Sequence, residues 1–179
     1  MKKSNVSAKP PKSWNLGSML VLLLTLSLSL NCCGKTEEDK VKGMDLPLNA
    51  KRALLEVAKD VYPETQKKVD ELVGKHVPIV VDWESMSHYG ENYTKASRYK
   101  SYGFDPIVEG IEAVAKDEAG KSALAAKLEK IELSGKHPDE SSTSDNLSFK
   151  DGVLKTKQAF DGNGVWSGSR IKECLEEAL

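Results

Sequence analysis

Cysteine is scarce in this chain: three among 179 residues, two of them adjacent at Cys32 and Cys33 and the third, Cys174, near the end. Three cysteines cannot build a framework of several bridges, and no CxxC or clustered Cys/His spacing outlines a zinc site. An HExxH pair, a glycine-rich phosphate loop, an internal repeat and a sustained βαβ alternation are all missing. No serine or cysteine stands out as a nucleophile. Basic excess is missing too. The first 31 residues hold four lysines and no acid, which leaves 22 basic against 27 acidic side chains from Cys32 onward and a net charge near −5. Nucleic-acid binding needs a basic footprint, so nucleic acid is excluded as a main ligand. No cofactor and no metal site are read from the sequence. The length suits one ordinary domain.

Long hydrophobic runs are absent except at the amino end. A stretch rich in Lys and Ser reaches Ser13, and Met19 to Leu30 ("MLVLLLTLSLSL") then runs uncharged to the cysteine pair. Twelve helical residues cover about 18 Å, short of a hydrocarbon core of about 30 Å. This is the size of a signal-peptide core, followed by "LSLNC" and "CGK".

Those residues resemble the signal peptide and lipobox of bacterial lipoproteins, in the relaxed form of spirochaetes that accepts asparagine before the modified cysteine. The usual pattern has Leu three places before that cysteine and a small residue just before it. On Cys32 these positions are Ser29 and Asn31; on Cys33 they are Leu30 and Cys32. Cys32 is preferred and Cys33 is the alternative. The resemblance implies removal of residues 1–31, attachment of acyl chains such as palmitate to the new terminal cysteine, and a membrane partner reached through those chains. It places the protein in the bacterial envelope, at the outer membrane or cell surface. An uncleaved signal anchor with two idle thiols is the competing reading.

Residues 32–46 are charged and aperiodic, which reads as a lipidated tether ahead of a single domain over 47–179. Leu54, Val57, Ala58 and Val61 form a helical stripe with Asn49 as N-cap. Pro63 opens a second helix, with Val69, Leu72 and Val73 inward and Gly74 as its stop. "HVPIVVDWE", His76 to Glu84, alternates as a strand, and Pro78 favours its start or an edge. Asp105 and Pro106 begin a helix through Ile107, Ile111 and Val114, with a break expected near Gly120 and a further helical piece over Ser122 to Leu128. A short strand follows at Ile131 and Leu133, and then a polar loop from Ser134 to Asn146. Asp151-Gly152 predicts a type I′ hairpin that sets Phe149 opposite Leu154 and Leu147 opposite Thr156. Ile171, Cys174, Leu175 and Ala178 line a closing helix. The fold class expected is α+β: a small, mostly antiparallel sheet of about four strands with helices packed on one face. The "IVVDW" strand and the "FKDGVL" hairpin resemble small uncharacterised bacterial envelope domains, which implies no activity.

Three clusters could carry chemistry. "VDWESMSHYGE" gathers Asp82, Glu84, His88 and Glu91 at a strand exit, where carboxylates and an imidazole suit acid–base work of a small hydrolase; a solvated strand end is the plainer reading. Aromatic residues are few, at 6%. Yet Tyr89, Tyr93, Tyr99 and Tyr102 fall within fourteen residues, beside Lys95, Arg98 and Lys100. Tyrosines among cations suit stacking on a glycan, peptide or protein; rings lying over the core are the alternative. "DGNG" at Asp161 begins like a calcium loop and then departs from it at Val165, Trp166 and Lys172. Trp166 reads as a plug against the last helix, Cys174 as a small hydrophobe, and His76 and His137 as turn neighbours. The expectation is a lipid-anchored envelope lipoprotein that binds an envelope or extracellular protein, peptide or glycan. Its catalytic residues are none, and the binding set is Tyr89, Tyr93, Arg98, Tyr99 and Tyr102. The alternatives are the small hydrolase using Asp82, Glu84 and His88, and a structural or antigenic surface lipoprotein.

Overall fold

Two prolines inside otherwise helical stretches shape the helical layer. The computed structural model describes residues 34–88, 95–137, 146–160 and 165–179, and the compact unit they form runs from Lys35 to Leu179. α2 (Leu48–Glu56) passes through a π-helical turn, Val57–Val61, into α3 (Tyr62–Val73), so Pro63 does not start a separate helix. Proline donates no hydrogen bond and crowds the carbonyl four residues back. The widened turn just before it, where Tyr62 N–H bonds the Val57 carbonyl five residues back, absorbs that crowding without breaking the rod. The same device recurs in the next helical rod. α5 (Ala96–Tyr99) runs through a π turn at Lys100–Phe104 into α6 (Asp105–Val114), with Pro106 in its first turn.

Before these rods stands a helix where a tether was expected. α1 (Glu37–Lys42) is closed by a capping box: Thr36 Oγ1 accepts from the Asp39 N–H at 3.1 Å, and Asp39 Oδ2 accepts from the Thr36 N–H at 3.3 Å. Acidic residues fill its first turn and lysines its last, matching the helix dipole. Val41 is fully buried and Trp83 Nε1 donates to Glu37 Oε2 at 2.7 Å. The compact unit therefore starts at Lys35, so that of the tether expected over 32–46 the part from Lys35 onward belongs to the folded unit. A helix this short needs only one apolar contact, too few to show a period. The N-cap of α2 is Pro47, two residues ahead of the expected Asn49.

β1 (Ile79–Asp82) gives way at once to α4 (Trp83–Met86), so the strand is shorter than expected and Trp83 is helical. α7 (Glu118–Lys127) is capped by Asp117, whose Oδ1 accepts the Gly120 N–H at 2.8 Å. The break after α6 thus falls at Ala115–Asp117 and not at Gly120. β2 (Lys130–Gly135), β3 (Leu147–Lys150), β4 (Val153–Gln158) and α8 (Gly168–Glu176) complete the order.

The sheet order is β1-β2-β4-β3. The hairpin register is as expected, Phe149 opposite Leu154 and Leu147 opposite Thr156, with Asp151 at φ 50° and Gly152 at φ 76° as a type I′ turn requires. However, β1–β2 and β2–β4 are parallel and only β3–β4 is antiparallel, so the sheet is mixed, and the expectation of a mostly antiparallel sheet is corrected. The reason lies in which hairpin strand is central. Leu154, Thr156 and Gln158 of β4 are buried, whereas Leu147 and Phe149 of β3 are only half-buried. β4 therefore takes the inner place beside β2, and the outgoing β3 becomes the edge. Pro78 adjoins the opposite edge strand, as its missing N–H demands.

Burial alternates along β1, β2 and β4, so the helices cover one face and charged side chains occupy the other. α6 and α8 approach closely because Gly110 has no side chain: a Cβ there would sit 2.6 Å from Ile171 Cγ2. Gly110→Ala should lower unfolding free energy by about 1–3 kcal/mol, read by urea denaturation, because both Gly110 and Ile171 are buried and overpacking cannot be relieved at the surface. An unchanged midpoint would show that the two helices slide apart freely.

Candidate functional site

Because β1, β2 and β4 run parallel as neighbours, their carboxyl ends lie side by side, where open sheets of this kind bind ligands. The geometry there begins with α4. Asp82 Oδ1 accepts the Ser85 N–H at 3.1 Å and caps this short helix. Ser85 Oγ donates to the Asp82 carbonyl at 2.8 Å and accepts the Gly135 N–H at 2.8 Å, which clamps α4 to the end of β2. Only glycine fits at 135, since a Cβ would stand 2.4 Å from the Ser85 carbonyl oxygen. From below, Tyr99 Oη donates to the Met86 carbonyl at 3.0 Å, and the Tyr99 ring packs on Phe160 at 4.9 Å.

That contact corrects part of the tyrosine patch. Tyr99 is fully buried and serves the core, so it offers no ring to a ligand. Tyr102 is half-buried against the core with the Arg98 guanidinium 5.7 Å from its ring centre. Tyr89 and Tyr93 lie outside the described residues, as do Cys32, Cys33, Glu91 and Asp161–Gly164. Spacing alone could not reveal that the helix turns Tyr99 inward.

The strand-exit cluster is not brought together. Asp82 is occupied as a helix cap, Glu84 is exposed, and His88 stands beside His137. Among the described residues no hydrogen bond or ion pair joins any two of Asp82, Glu84 and His88. The hydrolase reading requires their convergence. Among the described residues, no group of three or more His, Cys, Asp or Glu side chains is arranged to hold a metal.

A second polar centre, missed in the sequence, lies where α3 turns into β1. Asp70 Oδ2 is 2.8 Å from His76 Nδ1, and its Oδ1 accepts from the Val77 N–H at 2.9 Å and from Gln66 Nε2 at 2.8 Å. Gln66 in turn bonds the Val77 carbonyl and the Ile79 N–H. Burial raises the Asp70 pKa, but the bonds from His76, Val77 and Gln66 outweigh it and hold the carboxyl below its ordinary value. Next to it, burial pushes the Tyr62 hydroxyl up to about 12, with the Glu37 and Asp70 carboxylates adding to the effect. It stays a proton donor to the Ile79 carbonyl at 3.2 Å. An open depression of about 660 Å³ is lined by Tyr62, Pro63, Gln66, Asp70 and Gly74. Tyr62, Gln66 and Asp70 all spend their polar atoms on the α3–β1 connection, so the depression is a by-product of that joint.

Trp166 packs partly buried against the core as expected. Its backbone N–H bonds Gln158 Oε1 at 2.9 Å, while its Nε1 has no partner among the described residues. Cys174 is half-buried beside it, and burial pushes its thiol up, away from nucleophilic use. No family model, curated protein or solved structure matches the chain.

Asp70→Ala leaves the N–H of fully buried Val77 unpaired and should cost about 1–3 kcal/mol of stability. Because the folded carboxyl titrates below the ordinary 3.8, its contribution is complete above that value and is lost as pH falls through the folded pKa. In urea unfolding at a series of pH values, the stability gap between the wild type and Asp70→Asn should therefore narrow as pH falls below the ordinary 3.8. A gap that ignores pH would contradict the assignment.

Proposed function

We propose that this chain is a lipid-anchored lipoprotein of the bacterial envelope whose folded domain is a non-enzymatic binding module. The observation that carries the reading is the order of a basic stretch, the apolar run Met19–Leu30 and Cys32, with a compact unit from Lys35. Only Cys33 to Thr36 would separate an acylated Cys32 from the first helix, a reach of at most about 18 Å. Acylation would therefore hold the domain at headgroup height, not on a long stalk. No helix among the described residues is long and apolar enough to cross a membrane. Attachment in this reading rests on the acyl chains, each buried methylene contributing about 0.8 kcal/mol, with two chains or more needed for a stable anchor.

Binding is favoured over hydrolysis because Asp82 is committed to capping α4 and His88 to a ring contact with His137. The partner is an envelope or extracellular protein, peptide or glycan. Within the described part of the aromatic and basic segment, Lys95 is exposed and the half-buried Arg98–Tyr102 pair supplies the cation and the ring proposed to meet it.

Growth with radiolabelled palmitate should label the wild type and leave Cys32→Ser with Cys33→Ser unlabelled and released from membranes. Label that persists in the double variant sinks the lipoprotein reading. Arg98→Ala with Tyr102→Ala should weaken capture of an envelope partner at least about tenfold, the loss of two interface anchors, while the thermal midpoint shifts little; undiminished capture moves the binding surface elsewhere.

A further inference from the structure

α2 and the start of α5 pack against each other and leave a groove of about 450 Å³ between them. α2 lines it with Asn49, Arg52, Ala53 and Glu56, which follow the i, i+3, i+4, i+7 spacing of a single helix face. The other wall is Lys95, Ala96 and Ser97, where extended backbone at Lys95 leads into α5. Ala53 and Ala96 are its buried members, 6% and 8% exposed. Their methyl groups leave the space between the two helices unfilled.

The polar members of the lining are mostly donors without acceptors. Arg52 and Lys95 are exposed, one on each wall, and among the described residues neither is in an ion pair or a side-chain hydrogen bond. Lys42, Lys68, Lys100 and Lys130 of this chain are all paired with carboxylates instead. Asn49 Oδ1 accepts the Ala50 N–H at 2.9 Å, while its amide nitrogen and the Ser97 hydroxyl have no partner among the described residues. Against these donors stands one carboxylate, Glu56. We propose that the groove takes an acidic stretch of a peptide or protein partner, one carboxylate on the Arg52 guanidinium and a second on Lys95. The inference rests on the binding-module reading and names the chemistry of its partner. Charge complementarity selects this occupant: a guanidinium fork matches the two oxygens of a carboxylate, whereas a neutral glycan would leave both cations unused. The groove also adjoins the Lys95–Tyr102 segment already assigned to binding, so an acidic stretch lying in it continues toward Arg98 and Tyr102.

The test uses the full chain in a neutral detergent and an eight-residue dye-labelled peptide of alternating Glu and Ser, with a Gln–Ser peptide as its uncharged counterpart. Fluorescence anisotropy should show binding of the Glu–Ser peptide only, weakening as NaCl rises from about 50 mM to about 500 mM. Arg52→Gln with Lys95→Gln should weaken it about five- to thirtyfold, the loss of two solvent-exposed charge pairs, with the thermal midpoint unchanged because both side chains are exposed. Glu56→Gln should strengthen it about two- to fivefold. Lys150→Gln with Lys155→Gln, two exposed cations of the sheet hairpin, should bind as before. Every variant keeps the lysines of residues 1–31, so a loss confined to the Arg52 and Lys95 pair locates the groove. In the wild type, the peptide should shift the amide resonances of Ala53, Ala96 and Ser97 and leave those of β3 and β4 in place, a readout that needs no variant. Absent binding, equal binding of the two peptides, or binding indifferent to Arg52 and Lys95 would overturn the inference. Capture of an envelope partner that still depends on Arg98 and Tyr102 would then stand by itself, which separates the failure of the groove from the failure of the binding-module reading.

Discussion

Ile79 and Val81 of β1, Ile131 and Leu133 of β2 and Leu154 of β4 all project to one side of the sheet and are buried there. Side chains alternate along a strand, so this burial forces Val80, Glu132 and Lys155 to the other side. Sheets with parallel strands are usually covered on both faces. Here the uncovered face is made tolerable by charge: Glu132 pairs with Lys130 at 2.6 Å and with Lys155 at 3.3 Å. Burial on a single side also decides the topology. Since the hairpin strand with the deeper apolar residues must lie inward, β4 joins β2 and the sheet becomes mixed, with the carboxyl ends of three parallel strands gathered on one edge.

The helical layer meets the same sheet under a constraint of its own, continuity across proline. Each long rod contains a π turn just ahead of a proline, at Val57–Val61 before Pro63 and at Lys100–Phe104 before Pro106. Such a turn inserts a residue without ending the helix and rotates the apolar stripe that follows. Val69 and Val73 beyond the first turn, and Ile107 and Ile111 beyond the second, are all fully or nearly fully buried. A proline that would otherwise break the layer thus becomes a point where its buried face is re-aimed.

Local chemistry was legible in the sequence wherever one turn or one face decided it. The Asp151-Gly152 turn, the buried alternation of Ile79 with Val81, and the stripe Ile107, Ile111 and Val114 are local facts with local causes. What escaped were facts settled by distant parts of the chain. Tyr99 reads like its neighbouring tyrosines until Met86 and Phe160 are brought to it. α1 reads as a tether because a single buried valine leaves no period. The direction of β2 against β4 depends on which strand of a hairpin is better buried. The Asp70 centre needs the chain to fold back from Gln66 to Ile79. Of the site itself, the sequence marked His88 and the strand exit but gave no sign of His137, because pairing across parallel strands leaves no spacing to recognise.

Four residues of helix have no stability of their own, since nucleation is unfavourable and so short a segment cannot repay it. α4 nevertheless holds its place because each part is tied to a different element. Trp83 at its start donates to Glu37 of α1, Ser85 in its middle joins the end of β2, and the Met86 carbonyl accepts from Tyr99 of α5. These bonds fix both the position and the roll of the segment, so the chain must leave it in one direction, toward the carboxyl edge where His88 meets His137. A group placed by a rigid strand end is held more tightly than one on a free loop. The same tie to Glu37 joins this edge to α1 through a single indole.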